Sequence, residues 1–314
     1  MRPEPLELNA IRSLVINDFV ADENGKQISV TLRRRTPEPA KGFRTLQPSV
    51  LPDGPPARLP SVLPPAGDLQ LTISIMDLIG NGRCGSVYST SLPHLQDRAT
   101  SNPPCDNPLP ILSYLPELVV KVADEAHVDD LASEASMYDE MEVLQGVAIP
   151  RCYGWFEGEL GPLTMAPAAN PSKCEPETKI AQRRNVPTRL SILVLERVGE
   201  HLPLGERIPD RSDIWEVFSD LSQLGINQPD MRYSNILTSP TSLVSQVPSS
   251  PSTISLPGKI CPYHHRTHKY RIIDFDRARK TDWTLKQHYY QQVGTLGRLL
   301  EMMEMNIILE PWEY

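Results

Sequence analysis

Apolar positions repeat every second residue in several short stretches of the chain and every three to four residues in three longer ones. SLVINDFVA and KQISVTL, within residues 11–32, alternate on either side of Glu23-Asn24-Gly25, and Asn-Gly between alternating runs predicts a β-hairpin. In LQLTISIMDLIGNGRCGSVYST (69–90) Leu71, Ile73 and Ile75 alternate. The pattern breaks at Gly80, Gly82 and Gly85 and resumes at Val87 and Tyr88, which predicts strand, glycine turn, strand. ELVVKVAD (117–124), residues 149–156 and residues 191–195 read as further strands, and KYRIIDFDRARK (269–280) as a buried strand ending in acidic residues. The helical period runs through 128–146, where Leu131, Ala135, Tyr138 and Leu144 lie roughly on one face. It returns after Asp210, where Ile214, Val217, Phe218, Leu221 and Leu224 follow i, i+3, i+4, i+7 and i+10, and a last helix is predicted over 283–305. A β-rich first half with one helix, then a helical second half, predicts a two-lobed α+β arrangement.

Proline marks the joints. The chain has 32 prolines in 314 residues, about twice the usual ~5%. They cluster in 36–67, 92–116 and 158–190, and a Ser/Pro-rich stretch spans 238–268. The first cluster, with PSVLP at 48–52 and again at 60–64, reads as an extended linker, or as a docking motif for a partner's aromatic groove. Net charge is −8, which argues against nucleic-acid binding, a function that needs a basic surface. The run Arg33-Arg34-Arg35 reads as a solvated strand end. No apolar run reaches the roughly 18 residues of a membrane span, and MRPEPLELNA lacks the apolar region of a signal peptide. Five scattered cysteines, an odd number, fit a reduced cytoplasmic or nuclear compartment.

Four features carry candidate chemistry, each with a plain structural reading beside it. Gly80, Gly82, Gly85 and Val87 form G-x-G-x-x-G-x-V between two strands, so the motif does not open a helix as a dinucleotide fingerprint must. It is a hairpin turn or a lid over phosphates. Lys121 lies inside the apolar run Leu118-Val119-Val120 and is an edge lysine reaching solvent, or a phosphate-pairing ammonium positioned by Glu134 of the next helix. In QPDMRYSNIL (228–237) Asp230 and Asn235 stand five apart. They are turn residues capping the next strand, or a base and a Mg²⁺ ligand aimed at one point, with Arg232 reaching a transferred phosphate. Asp274 ends an apolar strand and needs a partner, for which a divalent cation is the natural candidate.

Taken in this order, the glycine loop, LVVK, Glu134, QPDMRYSN and DFD resemble the protein-kinase-like superfamily, over residues 71–305. IPRCYGWFEG, LVLERVG, NIL and IIDFDRA resemble in particular kinase-like proteins of filamentous fungi. The resemblance implies a bilobal fold with a β-rich N-lobe (69–197, insertions 92–116 and 158–190) and a shortened helical C-lobe (198–314, insertion 238–268), preceded by a hairpin extension (1–35) and a Pro-rich linker (36–68). It implies ATP and Mg²⁺ as cofactors. It assigns nucleotide binding to Gly80, Gly82, Gly85, Val87, Val119, Lys121, Glu134 and a hinge with Glu196 and Val198, catalysis to Asp230, Lys121 and Arg232, and metal binding to Asn235 and Asp274.

The chain departs from that pattern in three places. Gln228 replaces the family's His, Asp276 replaces the glycine of D-F-G, and 40 residues follow Asp274 (314 − 274). The expectation is therefore an atypical phosphotransferase acting on a hydroxyl of a protein or small molecule, or a pseudokinase serving as an interaction module. Cys261, His264, His265 and His268 lie within eight residues, but their spacing is not a usual zinc-finger pattern and they sit beside Ser/Pro-rich sequence. They stand as a metal set or as polar residues of an insertion.

Overall fold

The computed structural model describes residues 5–21, 26–44, 51, 53–91, 93–97, 115–123, 125–159, 164–165, 189–239 and 256–310. In chain order the strands are β1 (Ile11–Ala21), β2 (Gln27–Arg35), β3 (Gly42–Phe43), β4 (Leu69–Gly82), β5 (Gly85–Thr90), β6 (His94–Asp97), β7 (Leu118–Ala123), β8 (Cys152–Glu159), β9 (Thr164–Met165), β10 (Arg189–Glu196), β11 (Ile226–Asn227), β12 (Ile236–Thr238), β13 (Tyr270–Ile272) and β14 (Arg279–Thr281). The α-helices are α1 (Val128–Glu140), α2 (Arg211–Gln223) and α3 (Leu285–Glu304). Two compact units result: Met1–Thr36, Leu63–Ala132 and Cys152–Glu196 form the first, and Pro37–Val62, Ser133–Arg151 and Arg197–Tyr314 the second. The hairpin turn Glu23-Asn24-Gly25 and most of the three Pro- or Ser-rich insertions lie outside the described residues.

Seven strands of the first unit close on themselves in the order β1-β2-β8-β10-β7-β5-β4, with β4 returning to β1. All neighbours are antiparallel except β1 and β4, which run parallel with Leu14 opposite Leu71 and Ile16 opposite Ile73. A ring with an odd number of strands cannot alternate direction all the way round, so at least one pair must be parallel. A parallel pair needs a long crossover, and the chain between Ala21 and Leu69 provides it. Leu14, Ile16, Leu32, Leu71, Ile73, Val120, Val122, Phe156, Ile192 and Val194 fill the interior, as side chains do in a barrel this narrow.

This closed barrel corrects the fold expected from the resemblance. A bilobal kinase-like fold with a β-rich N-lobe and a helical C-lobe is not what forms: the strands make a closed seven-stranded barrel, and the described residues contain three α-helices. The hairpin β1–β2 is the reason. Its inner face is as apolar as that of β4, so it completes the barrel wall instead of standing apart. Arg34 is likewise tied in rather than solvated, donating to the carbonyls of Leu8, Ile11 and Tyr153 at 3.2, 3.1 and 2.7 Å.

In the second unit, Phe218 and Leu221 of α2 and Leu296, Leu299 and Leu300 of α3 are buried, and Gln292 donates to Ser222 Oγ at 2.9 Å between the two helices. Two small sheets, β11-β14-β3 and β12-β13, complete it. The Pro-rich segment is docked here: β3 pairs with β14, Arg58 pairs with Asp139 and Glu142 at 3.0 and 3.3 Å, and the Val62 amide donates to Glu142 at 2.9 Å.

Thr284 and Gln287 form a reciprocal capping box at the start of α3. His288, in that first turn, is fully buried, and burial pushes its pKa down to about 4. The folded state therefore holds it neutral, while the unfolded chain takes up a proton near pH 6.5. Stability from this site is constant above about pH 6.5 and falls as pH drops toward 4, by up to about 1.4 kcal/mol per pH unit. Denaturant unfolding of wild type and His288→Asn at pH 7 and pH 4.5 checks this; the difference between the two proteins shrinks at the lower pH.

Candidate functional site

Two loops of the second unit bring Asp230, Asp274 and Asp276 together, with one oxygen of each lying within 4.8 Å of the others. Asp230 follows the short strand β11, and Asp274 and Asp276 follow β13. Asp230 is nearly buried and the other two are half-buried. Arg232 donates to Asp230 Oδ1 through Nε at 2.9 Å and through a terminal nitrogen at 2.6 Å, and lies 3.4 Å from Glu310. Burial alone would lower the Arg232 pKa. The bond and charge of Asp230, with the charges of Glu310 and Asp274, more than offset it, so the guanidinium is held firmly charged.

The five-residue spacing of Asp230 and Asn235 has a structural cause. Asn235 Nδ2 donates to the Asp230 carbonyl at 3.0 Å, and the amide of Asn235 donates to the Arg232 carbonyl at 3.0 Å. The carboxamide thus closes the loop that carries the carboxylate. The Asn235 carbonyl in turn accepts from the Ile273 amide at 3.1 Å, tying this loop to the residue before Asp274.

Gln228, which sequence reasoning treated as a departure, has a definite part. It is buried, and its Nε2 donates to the Asp274 carbonyl at 2.7 Å. Asp274 has φ +66°, in the left-handed region that favours glycine. A carboxylate kept there costs backbone energy that glycine would spare, so the side chain is retained at the expense of stability. Glu134, buried on α1, accepts from the Phe275 amide at 3.3 Å, and Phe275 packs edge-on against Tyr138. Asp276 was missed as a ligand because the resemblance presented it only as a missing glycine.

The remaining candidates, apart from Val198, lie in the first unit. Lys121 is buried on β7, on the face opposite Val120 and Val122 and so outside the barrel core. Across the strands it stands between Val87 of β5 and Leu193 of β10. Val119 faces the same way between Ser89 and Leu195, and Glu196 pairs with Leu118 at the end of β10. Val198 follows β10 in the second unit, half-buried.

The glycine turn divides by role. A Cβ on Gly85, at φ +140°, would meet the Val122 carbonyl oxygen at 2.0 Å. On Gly80 it would meet nothing within 4 Å, and on Gly82 only the Gly85 carbonyl at 3.7 Å. Gly85 is therefore required by the β5–β7 pairing. Gly85→Ala is expected to cost about 3 kcal/mol, whereas Gly80→Ala and Gly82→Ala stay within about 1 kcal/mol. Urea unfolding of the three variants measures this. Loss of nucleotide binding in Gly80→Ala at unchanged stability would separate a phosphate role from a turn role.

A second cluster lies at α2. Asp213 and Asp220, seven residues apart and fully buried, face His268 on both sides: Nδ1 to Asp213 Oδ1 at 2.7 Å and Nε2 to Asp220 Oδ2 at 2.9 Å. Burial alone would lower the His268 pKa, but hydrogen bonds to the two carboxylates and to Cys261 outweigh it and push it up to about 10. Sequence reasoning missed both aspartates. The available signal was two carboxylates on the helix stripe that also carries Ile214, Val217 and Leu221.

No protein-family model matches the chain, and comparison with curated proteins gives no significant match. Membership of the protein-kinase-like superfamily, which the motifs implied, is therefore corrected along with the fold: a closed barrel stands where the β-rich lobe of a bilobal fold was expected, and no family match supports the motifs. No helix among the described residues is long and apolar enough to cross a membrane.

Proposed function

We propose that the chain transfers a phosphoryl group from ATP to a hydroxyl, with Mg²⁺ at the Asp230–Asp274–Asp276 centre. The observation that carries this reading is the convergence of three carboxylates, one oxygen of each within 4.8 Å of the others, with Arg232 bonded to Asp230. The donor set fits a hard ion. Asp274 and Asp276 offer carboxylate oxygen, as Mg²⁺ prefers. Bound there, Mg²⁺ would neutralise charge on the transferring phosphate.

The chain's own residues set up the rest. Both Arg232 bonds fall on Asp230 Oδ1, which leaves Oδ2 to accept the proton of an acceptor hydroxyl. Arg232 holds that carboxylate in one rotamer and brings positive charge to the centre. Gln228 and Asn235 fix the two loops, so the carboxylates do not have to be gathered at the moment of reaction.

Thermal unfolding with saturating ATP, with Mg²⁺ and then with chelator, tests this without an acceptor. A ligand at 100 times its Kd adds about 2.7 kcal/mol, so the expected result is a Mg²⁺-dependent rise of a few degrees. No shift in folded wild type rejects the reading and leaves the interaction module as the alternative.

A further inference from the structure

We propose that Cys261, His264, His268 and Asp220 bind a structural zinc ion. This inference is independent of the phosphoryl-transfer reading. One ligand atom from each of the four residues lies within 4.8 Å of all the others. The separations include Asp220 Oδ2 to Cys261 Sγ at 3.0 Å, Asp220 Oδ2 to His268 Nε2 at 2.9 Å, His264 Nδ1 to Asp220 Oδ1 at 3.0 Å and Cys261 Sγ to His264 Nδ1 at 3.6 Å. Tetrahedral zinc with ligand bonds of about 2.0–2.3 Å sets its ligands roughly 3.3–3.7 Å apart, so a small outward adjustment admits the ion. Sulfur, two imidazoles and one carboxylate suit zinc and do not suit Mg²⁺ or Ca²⁺.

Three further observations point the same way. The amides of Tyr263 and His264 donate to Cys261 Sγ at 3.3 and 3.4 Å, presenting the sulfur as an acceptor, as a metal-bound thiolate requires. The backbone between ligands is a closed knuckle: Cys261 N donates to Arg266 O at 2.8 Å, His265 N donates to Cys261 O at 2.9 Å, and His265 sits at φ +55°. His265, a candidate from sequence, is thus a turn residue and does not belong to the converging set. Finally, Asp213 lies 2.7 Å from His268 Nδ1 and also accepts from the Lys269 amide at 2.7 Å. That is the outer carboxylate which orients a metal-bound histidine through its far nitrogen. All four donors are protein side chains, which describes a structural rather than a catalytic site. The ion would clamp the 256–268 segment onto α2, immediately before the strand β13 that leads to Asp274.

Metal analysis of the purified full-length chain, followed by Co²⁺ substitution, tests the site. The expected result is about one zinc per chain that survives dialysis against Mg²⁺. Its Co²⁺ form should show tetrahedral visible bands and a thiolate-to-cobalt charge-transfer band. Cys261→Ser should lose the charge-transfer band, and Asp213→Asn should weaken zinc binding by about 10–100-fold. Asp274→Asn should keep full zinc content, which separates this site from the carboxylate centre. If a variant does not fold, the wild-type cobalt spectrum still decides. Folded wild type with no bound zinc and no cobalt spectrum after Co²⁺ is added overturns the proposal and leaves the cluster as a proton-linked ion-pair network.

Discussion

If the carboxylate centre holds Mg²⁺ as proposed, Asp274→Asn is expected to lose any stabilisation by Mg²⁺ and ATP and to lower phosphoryl transfer on the order of 10³-fold, while the chain still folds. The substitution replaces one negative oxygen of the carboxylate centre by an amide group of the same shape. Asparagine tolerates the left-handed backbone that Asp274 adopts at φ +66°. The Gln228 bond is made to the main-chain carbonyl of residue 274, so it survives the change. Thermal unfolding with ATP, with and without Mg²⁺, and single-turnover assays against candidate acceptors provide the two readouts. Asp274→Gly is the companion variant. It relieves the backbone and deletes the carboxylate, so it should fold and be as inactive as Asp274→Asn. An Asp274→Asn protein that keeps its Mg²⁺-dependent shift would remove the carboxylate centre from the mechanism.

Lys280→Met is expected to destabilise the second unit by about 3–5 kcal/mol. Lys280 of β14 and Glu140 at the end of α1 form an ion pair in which both side chains are almost wholly buried. Removing the lysine strands a carboxylate away from water, and that penalty exceeds the worth of the pair itself. The double variant Glu140→Leu/Lys280→Met removes both charges and should recover most of the loss, because a buried pair replaced by apolar groups of similar size is often neutral. Denaturant unfolding of the two singles and the double at pH 7 gives the coupling energy. A Lys280→Met loss below about 1 kcal/mol, typical of an exposed pair, would mean that the pair is hydrated in solution.

Local elements were legible in the chain because each carries its own period. Residues 128–140, 211–223 and 285–304 are helices close to where the apolar stripe puts them, and β1, β4, β5, β7, β8 and β10 fall on the alternating runs. The buried strand expected over 269–280 is divided: β13 and β14 are short, with the acidic turn between them. The motif reading went further than the pattern could support. Strand, glycine turn, strand and a lysine strand fit several sheets, and nothing in their spacing tells an open sheet from a barrel. The candidate centre was partly legible. Asp230 was singled out by its spacing from Asn235 and Asp274 by its place after an apolar strand, whereas Asp276 and Gln228 acquire meaning only from what they touch.

By itself, the sequence determined which residues alternate, which stripe a helix buries and where the chain turns, because these follow from backbone geometry over a few residues. The tertiary structure alone decided the closure of β1 on β4, about fifty residues downstream, since an apolar face specifies that it will be covered but not by what. It also decided that Gly85 is needed by a neighbouring strand while Gly80 is not, and that two aspartates of α2 meet a cysteine and two histidines some forty to fifty residues later. Contacts of that range depend on the packing of whole elements, and no local period records them.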